Sequence, residues 1–249
     1  MYAAEDVDTG DTVALKLLLP ELLKEKEPVV RFRREAQAGI LLDHPHLVKV
    51  LDLGQFEGGA LFLAMELIPG GSLADRVEKS GPLPLEETVR LLAGAAAGID
   101  ALHGAGLVHR DIKGANILLE GQTPYVSDFG LAKDSQASNL TRPGQALGSL
   151  DYMSPEQIRG EDVSPATDIY ALGCVMFEVL TGTPPYGGRP SMRVLFAHLQ
   201  EPPPDVSEAR NDISAATAKA INRALEKEPE DRPASASGYI QSIARAAGI

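Results

Sequence analysis

The sequence predicts an α+β fold of two lobes, a small antiparallel β-sheet lobe with one main helix and a larger, mainly α-helical lobe. Three observations predict it. Short runs of residues with high β propensity dominate residues 1–67. A stretch that contains glycine and proline occupies residues 68–71, and an apolar pattern with helical periodicity dominates residues 72–249. We therefore expect a single domain with a hinge at residues 68–71 and a ligand-binding cleft between the lobes.

The β-leaning runs of the first lobe are separated by turn residues. Asp8-Thr9-Gly10-Asp11 is one turn sequence, and Glu57-Gly58-Gly59 is another. Strands are expected over residues 1–6, 12–18, 48–56 and 60–67. The main helix is expected over residues 29–42, because apolar and small residues recur there at helical spacing: Phe32, Ala36, Gly39 and Ile40.

Helical periodicity in the second lobe is interrupted by a pair of short strands. Ser164-Pro165 has the cap and first-turn residues that open helices. A polar stretch over residues 133–145 has no periodicity, and we expect a loop there. Helices are expected over residues 84–103, 165–180, 191–199, 215–226 and 234–246, and strands over residues 117–119 and 125–127.

Composition narrows the classes of function. The net charge of -12 and the isoelectric point near 4.9 disfavour nucleic acid and anionic membranes as partners, because both would be repelled. A single cysteine, Cys174, excludes an internal disulfide. The longest apolar run, Ile169 to Leu180, is too short to cross a bilayer, and no export signal is visible. We expect a cytoplasmic chain, or the cytoplasmic part of a membrane-anchored parent.

The strongest motif is the octapeptide His109–Asn116, which fits the template H-R-D-x-K-x-x-N. Phosphoryl transfer needs these residue types. A carboxylate, Asp111, orients the attacking hydroxyl and accepts its proton, and a cation, Lys113, offsets charge on the transferring oxygens. Asn116 offers a neutral oxygen to a hard cation such as Mg²⁺. The motif therefore predicts transfer of a phosphoryl group from ATP.

Two further motifs complete the expected nucleotide site. Asp128-Phe129-Gly130 follows the second short strand, and Asp128 is expected to hold Mg²⁺ or Mn²⁺ against the ATP phosphates. Val13-Ala14-Leu15-Lys16 matches the strand motif V-A-I-K, which makes Lys16 the candidate for the α- and β-phosphates. Glu35 is its expected partner on the main helix. A solvated Glu35 paired with Arg31 is the competing interpretation.

These motifs together resemble a bacterial, eukaryotic-like (Hanks-type) serine/threonine protein kinase domain. The resemblance extends over three later segments, Gly148–Gln157, Thr167–Gly173 and Asp231–Pro233. It implies a substrate platform at Ser149 and Glu156, with Arg232 as the partner of Glu156. It also implies that a buried Asp168 fixes the backbone of the catalytic loop.

The resemblance also implies the ligands of the domain. ATP with Mg²⁺ or Mn²⁺ is the expected cofactor set, and proteins with serine or threonine acceptors are the expected substrates. Met65 is expected to line the back of the adenine pocket, and the backbone of Glu66 to Ile68 to bond the adenine. Lys113 and Ser149 favour serine and threonine over tyrosine as the acceptor.

Arg110 suggests regulation by phosphorylation. An arginine beside the catalytic aspartate can bind a phosphate on the loop over residues 131–147 through charge-assisted hydrogen bonds. The hydroxyls available on that loop are Thr141, Ser138 and Ser135. Thr141 is favoured because it lies nearest the expected substrate platform.

The family's glycine-rich loop, G-x-G-x-x-G, does not precede Lys16 in this sequence. The first strand of the small lobe is therefore expected to be missing, and the chain as given is expected to bind ATP weakly with little turnover. A misplaced translation start is one explanation. The alternative is an N-terminally truncated, catalytically weak, pseudokinase-like binding module. The codons upstream of Met1 would separate the two.

Overall fold

The structure is a computed structural model, and it describes residues 1–18, 26–57, 59–128 and 147–249. The first lobe contains four strands and one helix in the described residues. In chain order these are β1 (Tyr2–Glu5), β2 (Thr12–Leu17), α1 (Lys26–Leu41), β3 (Val50–Gln55) and β4 (Leu61–Glu66).

The second lobe is mainly helical over the residues that are described. Its elements are α2 (Leu73–Ser80), α3 (Leu85–Gly104), β5 (Ile117–Glu120), β6 (Thr123–Val126), α4 (Pro155–Arg159), α5 (Pro165–Thr181), α6 (Ser191–Gln200), α7 (Val206–Ala209), α8 (Ala215–Asn222) and α9 (Ala236–Ala247). Short 3₁₀ turns lie at Gly114–Asn116, Leu147–Tyr152, Arg223–Leu225 and Pro229–Asp231. The arrangement is the α+β fold that the sequence predicts.

The sheet of the first lobe is antiparallel, in the order β1-β2-β4-β3. Side chains alternate across it, so one face carries Ala14 of β2 with Leu63 and Met65 of β4. These side chains are buried in the same core as Phe32 and Ala36 of α1. Lys16 is two residues from Ala14 and therefore lies on this buried face.

The core of the second lobe is built around α5. Residues 167–177, 179 and 180 of this helix are all buried, and α3, α8 and α9 pack against it. Ser164 caps the helix, because its side chain accepts from the backbone N–H of Ala166. At the other end, Gly182 has a φ of 87°, and its N–H donates to Glu178. The predicted cap at Ser164-Pro165 is confirmed.

The β5–β6 hairpin connects the two lobes. Val126 exchanges backbone hydrogen bonds with the segment after α1, donating to His46 at 2.8 Å and accepting from Val48 at 2.9 Å. Gly98 of α3 makes room for this segment, because a Cβ there would lie 2.7 Å from the carbonyl oxygen of His46. The strand that leads to Asp128 is thereby fixed to the segment that follows the main helix.

Three short helices, α2, α4 and α7, were not predicted from the sequence. They span eight, five and four residues, which is too short for an apolar period to repeat more than once. The helix predicted over residues 215–226 ends at Asn222, where the chain tightens into a 3₁₀ turn against Gly173. Ile40 is 49% exposed, because eight residues beyond Phe32 the helix has rotated about 80° away from the buried stripe.

No helix among the described residues is both long and apolar enough to span a membrane.

Candidate active site

The segment after α3 is held by one buried carboxylate. Asp168, in the first turn of α5, is 0% exposed and accepts hydrogen bonds from the backbone N–H groups of His109 and Arg110, both at 2.8 Å. His103 Nε2 lies 2.8 Å from the same carboxylate. Arg110 has a φ of 67°, a left-handed conformation that non-glycine residues rarely adopt. The bonds to Asp168 hold this unfavourable conformation in place.

His109 joins this segment to the strand that precedes Asp128. Its Nε2 lies 2.9 Å from the carbonyl oxygen of Ser127, and its Nδ1 accepts from the backbone N–H of Asp111 at 3.3 Å. The second bond requires an unprotonated Nδ1, so Nε2 carries the proton and donates to Ser127. One imidazole thus fixes the distance between the two acidic residues of the site.

Asp111 carries the carboxylate at the centre of the site. Lys113 Nζ donates to its Oδ2 at 3.1 Å, and Asn116 Nδ2 approaches the same oxygen at 3.3 Å. The Asn116 amide also donates to the backbone carbonyl of Asp111 at 2.8 Å. The side chains of Asp111 and Lys113 are 18% and 20% exposed, so the carboxylate still reaches solvent. The structure brings together the three residues expected to be catalytic.

Asp128 meets Lys16 across the two lobes. Lys16 Nζ lies 2.9 Å from Asp128 Oδ1, and the two side chains are 29% and 26% exposed. Asp128 has a φ of 56°, the second left-handed non-glycine residue among those described. Phe129 and Gly130 lie outside the described residues. The lysine of the sheet and the aspartate of the helical lobe therefore come together as candidates for one phosphate site.

The residues expected on the adenine side of the cleft lie at and just after the end of β4. Met65 and Ile68 are 5% and 7% exposed, and both belong to the main hydrophobic core. Glu66 is exposed, and its backbone N–H donates to the carbonyl oxygen of Lys49 at 2.9 Å. Glu35 lies in α1, but its side chain is outside the described part of the chain. Its pairing with Lys16 stays a prediction.

Glu156 and Arg232 form a buried ion pair beside the expected substrate platform. The guanidinium donates twice to the carboxylate, at 2.8 and 2.9 Å, and the two side chains are 2% and 0% exposed. Thr167 Oγ1 donates to Glu156 at 2.8 Å. Burial acts to raise the pKa of Glu156, but the hydrogen bonds and charge of Arg232, together with the bonds from the backbone and Thr167, outweigh it, so this pKa lies below its ordinary value. The contact implied by the resemblance is present.

Gln157 links the expected platform to the expected catalytic loop, and the sequence analysis did not identify it. Its Nε2 donates to the backbone carbonyl of Arg110 at 3.0 Å, while its Oε1 accepts from the backbone of Ser154 at 3.1 Å. The pattern Ser154-x-x-Gln157 is a capping box and could have identified the start of α4. Ser149 lies in the 3₁₀ turn Leu147–Tyr152, and its side chain is outside the description.

The expected regulatory hydroxyls cannot be placed. Thr141, Ser138 and Ser135 all lie outside the described residues, as does the rest of the segment over residues 129–146. Arg110 is described, and its backbone is fixed by Asp168 and Gln157. Its role as a phosphate-binding residue stays a prediction.

The fold and the site define a class of protein. A lysine on a small sheet that meets an aspartate of a helical lobe, beside a carboxylate fixed by lysine and asparagine, is the arrangement of protein-kinase-type phosphotransferases. The family model of the protein kinase domain matches residues 1–243 of the chain. The chain belongs to the protein kinase domain family.

Curated relatives agree with this assignment. The chain is 38% identical over 250 residues to the serine/threonine-protein kinase pkn3 of Myxococcus xanthus, covering 96% of this chain and 46% of that protein. It is 35% identical to the serine/threonine-protein kinase PknB of Mycobacterium leprae, covering 93% of this chain and 38% of that protein. The chain thus spans less than half the length of either relative.

Solved structures agree as well. The crystal structure of the PknI kinase domain of Mycobacterium tuberculosis matches with a TM-score of 0.78 at 29% identity. The match covers 100% of this chain and 90% of that one. A single-site mutant of the same kinase domain matches with the same TM-score of 0.78 at 30% identity. The two-lobed protein kinase fold predicted from the sequence is confirmed.

Proposed function

We propose that this chain is a catalytic domain that transfers the γ-phosphoryl group of ATP to serine and threonine hydroxyls of proteins. The observation that carries the proposal is the carboxylate of Asp111, which Lys113 and Asn116 fix while it stays partly open to solvent. The relatives named serine/threonine-protein kinases support this acceptor class and do not favour a binding module without activity. ATP as the donor supports a cytoplasmic location.

The proposal divides the domain at a hinge over residues 68–71, between an N-terminal lobe of residues 1–67 and a C-terminal lobe of residues 72–249. Lys16 belongs to the first part, and the catalytic loop and Asp128 belong to the second. The nucleotide would therefore bind between the two parts, where Lys16 and Asp128 meet.

Asp111 is the proposed catalytic base. A hydroxyl attacks a phosphoryl group in line with the leaving oxygen, so the carboxylate must hold the hydroxyl in one orientation and then take up its proton. The two donors on Oδ2 fix the carboxylate plane, which supplies that orientation. Lys113, at 3.1 Å, carries a charge that would offset the charge developing on the transferred oxygens.

Asn116 and Asp128 would hold the Mg²⁺ or Mn²⁺ that accompanies ATP. The nitrogen of the Asn116 amide is engaged by Asp111, which directs its oxygen elsewhere as a ligand for a hard cation. Within the described part of the chain, no group of three or more histidine, cysteine, aspartate or glutamate side chains could hold a metal. That suits Mg²⁺, which proteins bind through one or two carboxylates together with substrate phosphates. The bound ion would neutralise phosphate charge.

The remaining proposed contacts to the nucleotide come from residues of the first lobe and the start of the hinge. Lys16 would bind the α- and β-phosphates, since it already lies 2.9 Å from the proposed metal ligand Asp128. Glu35 would orient Lys16 from α1. The buried Met65 would line the adenine pocket, and the backbone of Glu66 to Ile68 would bond the base.

Recognition of the protein substrate is assigned to the segments around α4. Ser149 would contact the substrate, and the ion pair of Glu156 with Arg232 would support the platform from the core. Arg110 would bind a phosphate on Thr141, with Ser138 and Ser135 as the other acceptors. Such a phosphate would order its loop through charge-assisted hydrogen bonds.

Phosphoryl transfer can be tested directly with the purified protein, ATP labelled at the γ-phosphate, and Mg²⁺. Even at the low turnover expected from the sequence, label should appear on serine and threonine residues of the chain and of an added protein substrate. Asp111→Asn should lower the rate by about a hundred- to ten-thousandfold, because it removes a general base. Phosphoamino-acid separation then identifies the acceptor.

Asp162→Asn is the matched control, since Asp162 is an exposed carboxylate on the loop before α5. It should keep the rate of the unchanged protein. Labelling that survives Asp111→Asn, or label found on tyrosine alone, would overturn the proposal.

A further inference from the structure

The peptide group between Arg110 and Asp111 follows a residue in an unfavourable conformation. Arg110 has a φ of 67°, where the Cβ atom of a non-glycine residue is crowded. Asp168 accepts from the backbone N–H of Arg110 at 2.8 Å. That bond fixes the peptide group before Arg110, but the peptide group after it can still rotate about the next backbone bond. Further contacts are therefore needed to fix the direction in which the backbone enters Asp111.

Two hydrogen bonds fix this peptide group, one at each of its polar atoms. The carbonyl oxygen of Arg110 accepts from Gln157 Nε2 at 3.0 Å, across 47 residues of sequence. The backbone N–H of Asp111 donates to His109 Nδ1 at 3.3 Å. On the other side of Asp111, its own carbonyl oxygen accepts from Asn116 Nδ2 at 2.8 Å. The backbone is thus held on both sides of Asp111, which sets the direction in which its side chain begins.

Gln157 can hold Arg110 because Gln157 is itself fixed in place. It is the third residue of α4, and its Oε1 accepts from the backbone N–H and the hydroxyl of Ser154 at 3.1 and 3.2 Å. Its neighbour Glu156 forms the buried ion pair with Arg232. The orientation of the amide follows from its partners, since a carbonyl oxygen can only accept and a backbone N–H can only donate. Nε2 must therefore face Arg110, and Oε1 must face Ser154.

The two ends of the Gln157 amide have separable roles. In a capping box, the third helical residue needs only an oxygen that accepts from the cap residue, and glutamate supplies one equally well. A negative charge is also favourable at the N-terminus of a helix. The cap of α4 therefore does not require an amide. The bond to the carbonyl of Arg110 does require one, because an ionised carboxylate has no hydrogen to donate.

We propose that Gln157 is a positioning residue for phosphoryl transfer, which holds the Arg110–Asp111 peptide group in the orientation that directs the Asp111 carboxylate to the acceptor hydroxyl. The inference rests on the proposed function, in which Asp111 is the base. Among the described residues, the Gln157 side chain bonds only Ser154 and Arg110. Its effect is therefore on the chemical step and not on the binding of ATP.

Gln157→Glu removes the donor to Arg110 and keeps the acceptor for Ser154. The kinetic test measures transfer from γ-labelled ATP to an inactive Asp111→Asn copy of the chain. We expect kcat to fall about tenfold, the size of one net hydrogen bond, with the KM for ATP unchanged within about twofold. The midpoint of denaturant unfolding should change little, because the cap of α4 is kept.

Two further variants separate positioning from support of the fold. Gln157→Met has a similar length and removes both bonds, so kcat should fall by a similar factor while the unfolding midpoint also falls. The two Gln157 variants would then agree in rate and differ in stability, whereas a purely structural role makes the rate follow the stability. Gln241→Glu is the matched control, because it makes the same change at an exposed position of α9. It should leave kcat and the midpoint unchanged.

Hydrogen exchange keeps the inference separate from the proposed function. Amides of His109–Asn116 should exchange faster in Gln157→Glu than in the unchanged protein or Gln241→Glu, while those of α9 stay the same. Unchanged exchange in His109–Asn116, or an unchanged kcat in Gln157→Glu when the unchanged protein transfers phosphate, overturns the positioning role. Faster exchange in a protein with no Asp111-dependent transfer supports the hold on the peptide group and overturns the proposed function.

Discussion

Two ion pairs of this protein each join a cation to a carboxylate at nearly the same distance, but in different surroundings. Arg232 and Glu156 meet at 2.8 Å with side chains 0% and 2% exposed. Lys16 and Asp128 meet at 2.9 Å with side chains 29% and 26% exposed. The first pair carries further bonds, from Thr167 to the carboxylate and from the guanidinium to three backbone carbonyls. Distance alone does not distinguish the two pairs.

Burial decides what each pair can do. A buried, fully bonded pair strongly resists the loss of one partner, because the remaining charge has no access to water. A pair that is about a quarter exposed contributes little to stability, since water screens its attraction. The first pair therefore fixes α4, beside the proposed platform, to the core of the second lobe. The second can be exchanged for contacts to a ligand at small cost to the fold.

The largest expected effect follows removal of the buried cation. Arg232→Met should lower the free energy of unfolding by about 3–5 kcal/mol, because Glu156 is left as an uncompensated buried charge. Denaturant unfolding followed by circular dichroism measures it. Replacing both partners, Arg232→Met with Glu156→Leu, should recover much of the loss.

Arg189 supplies the comparison for this substitution. It bonds Glu201 at 2.7 Å, but the two side chains are 41% and 36% exposed. Arg189→Met should change the free energy of unfolding by less than about 1 kcal/mol. Equal losses in Arg232→Met and Arg189→Met would contradict the role given to burial.

His198 extends the comparison to a buried group without an ionic partner. Its pKa is about 3 in the folded protein against an ordinary value of 6.5. Between these values the unfolded chain binds the proton more tightly, so stability is complete above pH 6.5 and is lost as the pH falls. From pH 6.5 to pH 5 the imidazole should account for a loss of about 2 kcal/mol.

The pH dependence of unfolding in His198→Phe isolates this contribution. Asp151, Tyr170, Tyr186 and Lys227 surround the ring at position 198 in both proteins, so their own titration is common to both curves. The difference in free energy of unfolding between the two should therefore change by about 2 kcal/mol over this range. Parallel curves would show that the imidazole is protonated normally in the folded state.

The sequence predicts which residues carry the chemistry of this site better than it predicts the contacts that hold those residues in place. Asp111, Lys113 and Asn116 lie within one octapeptide, so their spacing alone brings them together. Gln157 reaches Arg110 across 47 residues, and Tyr170 reaches His198 across 28. Such contacts leave no periodic signal, since they depend on how helices pack. For the same reason the sequence shows Lys16 as a candidate without showing its contact with Asp128.

The same limit applies to the fold. The long helix α3 repeats its apolar period several times, and α5 is a long apolar run opened by Ser164-Pro165, so both are predicted within a few residues. The helix α2 spans eight residues and buries only Leu73 and Val77. Its clearest local signal is the capping box of Ser72 and Asp75, which precedes a single apolar repeat. Short helices of this kind are fixed by tertiary contacts.

The smallest expected change in stability is at the exposed pair. Lys16→Met removes the cation beside Asp128 and should change the free energy of unfolding by less than about 1 kcal/mol. Phosphoryl transfer should nevertheless fall roughly a hundredfold or more, because a charge directed at the phosphates is lost. Unfolding and labelling with γ-labelled ATP, measured on the same preparations, give both values.

Lys49→Met controls for the loss of a positive charge from the same lobe, because Lys49 is exposed and its described hydrogen bond involves only its backbone carbonyl. It should leave both values unchanged. If Lys16→Met instead destabilised the fold as much as Arg232→Met, the pair of Lys16 and Asp128 would be needed for stability. Breaking that pair to bind a nucleotide would then cost a large part of the free energy of unfolding. A small change in stability with a large loss of transfer is the result that a ligand-exchangeable pair requires.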